Sequence, residues 1–112
     1  MNVRIRERKE NLEKELKRIV DIIIKNYSPE KIILFGSLAD GNIHEWSDID
    51  LVVIKFTDDD PWKRAAKVDR LIEHTAPVDI LIYTPKEVRQ RLAMNDYFVK
   101  EFSEKGKVLY NG

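Results

Sequence analysis

Gly36-Ser37, followed ten residues later by Ser47-Asp48-Ile49-Asp50-Leu51, holds the side chains of this sequence best suited to chemistry. An apolar run over 32–35 ends in the small-residue turn, and a second apolar run, 51–54, follows the two carboxylates. In a strand alternate residues share a face, so Asp48 and Asp50 would project together, about 6–7 Å apart along the backbone. Like charges held side by side repel, and assembling them costs free energy unless a cation sits between them. Oxygen-only ligands suit Mg²⁺, which keeps several waters and takes one or two protein carboxylates with substrate phosphates. Glycine lets a backbone approach a phosphate closely, and a helix after Ser37 would aim free N–H groups at that anion. A third carboxylate, Asp79, lies inside the apolar stretch Pro77-Val78-Asp79-Ile80-Leu81-Ile82-Tyr83. An ionised carboxylate there is expensive unless paired or bound to metal. If this strand lies beside the one carrying Asp48 and Asp50, the three acids converge as two-metal phosphoryl or nucleotidyl transfer requires.

The elements that must position these groups follow from periodicity and punctuation. Residues 3–26 read as a helix with Leu12, Leu16, Ile19, Val20 and Ile23 on one stripe. The first eight residues lack that stripe, so this end would fray or meet a partner. Ser28-Pro29 stops the helix, and Lys31 to Phe35 forms the first strand. A short helix after Ser37 and a loop with Gly41 and Asn42 lead into a strand over 48–55. Asp60 caps the next helix, with Pro61 at its first position. That helix, about 62–75, is expected to turn Trp62, Ala65, Ala66, Val68 and Ile72 mainly inward. After the strand 78–83, Thr84-Pro85-Lys86-Glu87 has the form of a capping box. Helices near 85–104 end at Gly106, and Lys107 to Tyr110 would add an edge strand.

Composition narrows the class. The 112 residues suit a single domain, 1–112, with one core. Twenty basic and twenty acidic residues cancel, so no net field favours direct nucleic-acid binding. The absence of cysteine excludes disulfides and thiolate metal sites. No apolar run is long enough to span a membrane and the charged N-terminus is not a signal peptide, so cytoplasmic residence is the expectation. A charged fraction of 36%, rich in Lys and Glu, leans toward a thermophile.

The Gly-Ser turn, the Ser-Asp-Ile-Asp-Leu strand entry and the later Val-Asp-Ile strand together resemble the nucleotidyltransferase superfamily of DNA polymerase beta. The small size is similar to its minimal nucleotidyltransferase (MNT) branch, and the likeness covers residues 12–92. It implies an α/β (α+β) fold, a small mixed β-sheet flanked by helices. It further implies that Gly36 and Ser37 bind the triphosphate of ATP. Asp48, Asp50 and Asp79 would be the catalytic residues and the ligands of two Mg²⁺ ions, with Asp79 also helping to activate the attacking hydroxyl.

Larger relatives carry an added helical region for the acceptor, and this chain ends soon after its third carboxylate strand. The acceptor is therefore expected to be, or to be held by, a partner protein. Minimal members of the family are paired with a small all-helical toxin of the HEPN class. The leading expectation is thus an antitoxin that transfers AMP from ATP to its toxin. Asp40 stands where this branch often has arginine, whose planar fork suits phosphate. It favours an alternative, an antitoxin of weak or no catalytic activity that acts by covering its toxin. A small-molecule nucleotidyltransferase of the aminoglycoside type, working as a homodimer, is a further alternative.

Other conspicuous residues carry blander readings. Asp58 to Asp60 reads as a solvated turn with a helix cap. His44 and His74 read as surface residues. Trp46 could stack on a base or pack over its loop. Tyr97 and Phe98 read as core or interface.

Overall fold

The structure, a computed structural model, describes residues 2–73 and 77–112. Helix α1 (Val3–Tyr27) opens with an Asn2 cap, whose side chain accepts from the Ile5 amide, and ends at Ser28 in the left-handed region. Strand β1 (Lys31–Phe35), the single-turn α2 (Ser37–Asp40) and strand β2 (Ile49–Ile54) follow. Then come α3 (Pro61–Ile72), β3 (Val78–Tyr83), α4 (Pro85–Ala93), α5 (Tyr97–Lys105) and β4 (Lys107–Asn111). The expected helix stop at Ser28-Pro29, the Asp60 cap with Pro61 behind it, the Thr84/Glu87 capping box and the terminal edge strand are all present. The strand expected over 48–55 is one residue shorter at each end. The helix expected to reach 75 stops at Ile72, with Glu73 in the left-handed region as its cap, and His74 lies outside the described residues.

The four strands form a mixed sheet in the order β3-β2-β1-β4. β1 pairs antiparallel with both β2 and β4, whereas β2 and β3 run parallel through the α3 crossover. Alternation along β2 divides the core in two. Ile49, Leu51 and Val53 pack with Leu12, Ile19 and Ile23 of α1 and Val68 and Ile72 of α3. Val52 and Ile54 face the opposite side, against Val99 and Phe102 of α5. β2 is the most buried strand because it is central and covered on both faces, as its near-continuous apolar run requires.

α3 differs from expectation. Val68 and Ile72 are buried, but Trp62 is 85% exposed and Ala65 and Ala66 are also exposed. The helix covers β3, which is an edge strand, and beyond that edge no described element receives its outer flank. Those side chains instead line an open groove of about 430 Å³ with Val78, Ile80 and Ile82. The inward position on that helix belongs to Arg64, only 6% exposed. Its guanidinium donates to the Asp59 carbonyl (2.8 Å) and to Glu87 Oε1 (2.7 Å), tying α3 to the start of α4. No helix among the described residues is long and apolar enough to cross a membrane.

Candidate active site

The carboxylates gather at one end of the sheet, where β1 ends and β2 begins. Phe35, the last residue of β1, lies opposite Asp50 in the antiparallel register. The chain then turns sharply at Gly36, whose φ of +74° lies where only glycine is at ease. Glycine is needed there for a second reason. A Cβ on residue 36 would run into Oδ2 of Asp50, so the bare backbone makes the space in which that carboxylate sits.

Asp79 lies beside Asp50 in register on parallel neighbouring strands, so the two share a face at the usual strand spacing of about 4.8 Å. Asp48 sits one residue before β2, two residues from Asp50 and half-buried. Burial first, and then the charges of Asp48 and Asp79, push the Asp50 carboxyl from its ordinary 3.8 up to about 6. The structure thus brings Asp48 and Asp79 each within electrostatic reach of Asp50, with Gly36 against Asp50. Asp79 is the exposed member, on the edge strand.

Among the described residues no three acids or histidines close on one point as a ready-made cage for a metal. The donor set nevertheless suits Mg²⁺, which takes one or two carboxylates and completes its shell with water and phosphate oxygens. The repulsion that raises Asp50 is relieved by any divalent cation placed between these acids.

Ser37 starts α2, one residue after Gly36. Because that helix is a single turn, with the Ala39 and Asp40 amides both returned to the Gly36 carbonyl at 3.1 Å, little macrodipole supports an anion there. The useful groups are the Ser37 hydroxyl and the backbone around Gly36. Ser37 Oγ shares a 3.0 Å hydrogen bond with Ser47 Oγ, closing the loop between the two halves of the motif. Asp40 is exposed, and its Oδ1 accepts from the Asn42 amide at 2.9 Å, which holds the turn after α2.

Two contributors were not singled out by spacing. Ser47 is 1% exposed, and its Oγ also accepts from the His44 amide at 2.9 Å. Arg8, in the part of α1 without an apolar stripe, donates from Nε to the Ser47 carbonyl at 2.8 Å. That end of the helix is therefore engaged by the site loop, with Arg4 and Glu45 forming a weak exposed ion pair at 3.9 Å beside it. Ser47 was visible as the residue before Asp48, but nothing in the sequence signals Arg8. His44 is exposed as expected, and its Nδ1 accepts from the Trp46 amide at 3.2 Å. Trp46 does not pack over its loop, being 79% exposed. On the other flank Phe98 stacks edge-on against Phe35 at 5.3 Å, and Tyr97 next to it is exposed.

Residues 14–112 match the family described as Polymerase beta, Nucleotidyltransferase, and the chain belongs to that family. Its four-stranded mixed sheet flanked by helices is the fold of that family. Two solved structures share it. One is a protein of Sulfolobus solfataricus assigned to the nucleotidyltransferases, 24% identical, with a TM-score of 0.65 over 80% of this chain and 82% of the other. The second is a toxin–antitoxin with AMP-PNP, also 24% identical, with a TM-score of 0.55 over 86% of this chain and 73% of the other. No curated protein matches the sequence.

Proposed function

We propose that this chain is a Mg²⁺-dependent nucleotidyltransferase that moves AMP from ATP to a partner protein, as the antitoxin of a HEPN/MNT pair. The observation that carries the reading is Asp50, set in register beside Asp79 and held against a glycine that leaves its carboxylate room. In this reading Asp48, Asp50 and Asp79 would be the residues that hold Mg²⁺. Bound there, Mg²⁺ would neutralise charge on the triphosphate and polarise the α-phosphorus for attack. Gly36 and Ser37 bind the outer phosphates through backbone and hydroxyl. Asp79, the most open carboxylate, takes the proton of the incoming hydroxyl as its oxygen bonds to the α-phosphorus and pyrophosphate departs.

A protein acceptor is supported by the apolar side chains exposed on both flanks of the carboxylates. Trp46 directly precedes the motif, while Met94 and Tyr97 lie at the α4–α5 turn just before Phe98. Large exposed apolar side chains beside a polar site are available to a macromolecular partner. The structural neighbour that pairs a toxin–antitoxin with AMP-PNP, an analogue of ATP, points the same way.

One feature favours a second reading, an antitoxin that works by cover alone. Asp40, the last residue of the single-turn α2, places a negative charge near the phosphate-binding end of the motif. The test is label transfer from α-phosphate-labelled ATP to a co-expressed small helical toxin carrying an Arg-x4–6-His motif. Label on the toxin, lost with Asp48→Asn together with neutralisation, supports the enzyme. Neutralisation that survives Asp48→Asn, with no label transferred, supports cover. Label on an added aminoglycoside, and none on the toxin, would support the small-molecule transferase.

A further inference from the structure

We infer that Ser47 is a positioning residue for nucleotide binding, acting through Ser37. This rests on the nucleotide reading of the site and adds a role that the motif's carboxylates and Gly36-Ser37 do not include. The Ser47 side chain is 1% exposed, yet its hydroxyl makes two bonds, one within its own loop and one across to the other half of the site. The His44 amide, which can only donate, occupies one lone pair of Ser47 Oγ at 2.9 Å. The remaining bond, at 3.0 Å, runs between Ser47 Oγ and Ser37 Oγ.

Two hydroxyls sharing one bond can exchange the roles of donor and acceptor by rotation. Without a ligand, Ser37 can direct its proton to Ser47. When a phosphate oxygen arrives, Ser37 must turn that proton to the anion. The Ser37 oxygen then needs a donor behind it, and the Ser47 hydroxyl is in place to supply one. The reversal serves both residues. It gives the Ser47 proton, which lies out of reach of solvent, an acceptor, and it polarises the Ser37 O–H toward the charge it meets. Arg8 keeps the arrangement in register, because its 2.8 Å bond to the Ser47 carbonyl fixes the backbone from which that hydroxyl projects.

A double-mutant cycle on the full chain tests this, with MgATP affinity measured calorimetrically for wild type, Ser37→Ala, Ser47→Ala and the double variant. Ser47→Ala is expected to weaken MgATP by up to about tenfold, the upper worth of a hydrogen bond between neutral groups, which the charge beyond Ser37 favours. In the Ser37→Ala background the same change should move affinity less than about twofold, because its path to the phosphate is gone. A merely structural Ser47 would lose affinity equally in both backgrounds, and that result would overturn the inference. Should Ser47→Ala unfold, Ser47→Cys fills the same space with a weaker donor and is expected to fall between wild type and the tenfold loss. Wild-type affinity in Ser47→Cys would then overturn it. If the wild-type chain binds no MgATP, the nucleotide reading itself falls. Wild-type binding with unmoved Ser47→Ala affinity defeats only the role given to Ser47.

Discussion

Two groups of acids lie on opposite ends of this small sheet, and they are treated in opposite ways. Around the N-terminus of α3, Asp59, Asp60 and Glu87 each have a cation or an amide. Lys67 hydrogen-bonds Asp59 and holds its carboxyl below the usual range. Asp60 accepts from the Lys63 amide as a helix cap. Glu87 sits where burial alone would raise its pKa, but bonds from Arg64 and Thr84 together bring it below the ordinary value. At the other end burial first, and then the facing charges of Asp48 and Asp79, raise the Asp50 carboxyl to about 6. The first group lowers the free energy of the fold. The second raises it, and such a cost is expected where the protein must receive a cation and a phosphate rather than complete itself.

Substitution at the two ends should therefore separate activity from stability. The largest effect is expected from Asp50→Asn: nucleotidyl transfer should fall by about 10³-fold or more, as for loss of a group holding a catalytic metal. The same change should raise the melting temperature at neutral pH, since it removes a buried repulsion on the order of 1–2 kcal/mol after solvent screening is allowed for. A melting temperature that drops would show that Asp50 is a structural acid after all. Arg64→Ala is the opposite case. It removes the donor to the Asp59 carbonyl and leaves Glu87 with the Thr84 amide alone, so denaturant unfolding should show a loss of about 1–3 kcal/mol with MgATP affinity unchanged.

Gly36→Ala falls between them. The residue would be held at φ +74° with its Cβ against the Asp50 carboxylate. The expected cost is about 1–3 kcal/mol of stability and at least a tenfold loss in MgATP affinity, read by thermal unfolding and calorimetry. The smallest change is Asp60→Ala, which removes one cap and should cost about 1 kcal/mol without touching binding.

Acidity gives a further contrast with a definite sign. Asp50 holds its proton more tightly when folded, so its contribution is present below pH 3.8 and is lost as pH rises through about 6. Glu87 and Asp59 have depressed values, so their contributions are present at neutral pH and are lost as pH falls through their folded values. Wild type minus Asp50→Asn should accordingly show stability that declines from pH 4 to 6 and is flat above. The reverse slope would contradict the raised Asp50.

Much of this is legible in the sequence, and the reasons are local. Asp60-Pro61 and Thr84-x-x-Glu87 bring their cap partners with them, so the starts of α3 and α4 could be placed from neighbouring residues. Asp48, Asp50 and Asp79 could be singled out because carboxylates interrupt apolar strands. The misplaced residues depend on what lies across space. Trp62, Ala65 and Ala66 fit an inward stripe, but their helix overhangs an edge strand, and no local pattern reports where a sheet ends. Arg64 reads as a surface cation until Glu87, already recognisable as a capping residue, proves to be its partner as well. Arg8 and Ser47 are 39 residues apart, and only the packing of α1 against the site loop joins them. That the sheet is small and mixed came from the family resemblance; periodicity marks strands without ordering them.

The most direct test of the central claim is calorimetric titration of the full chain with ATP, with and without Mg²⁺, beside Asp48→Asn/Asp50→Asn. Expected is ATP binding that requires Mg²⁺ and is lost in the double variant while its fold is kept or strengthened. Binding that is indifferent to Mg²⁺, or that survives the loss of both carboxylates, would contradict the assignment of this end of the sheet as a metal-dependent nucleotide site.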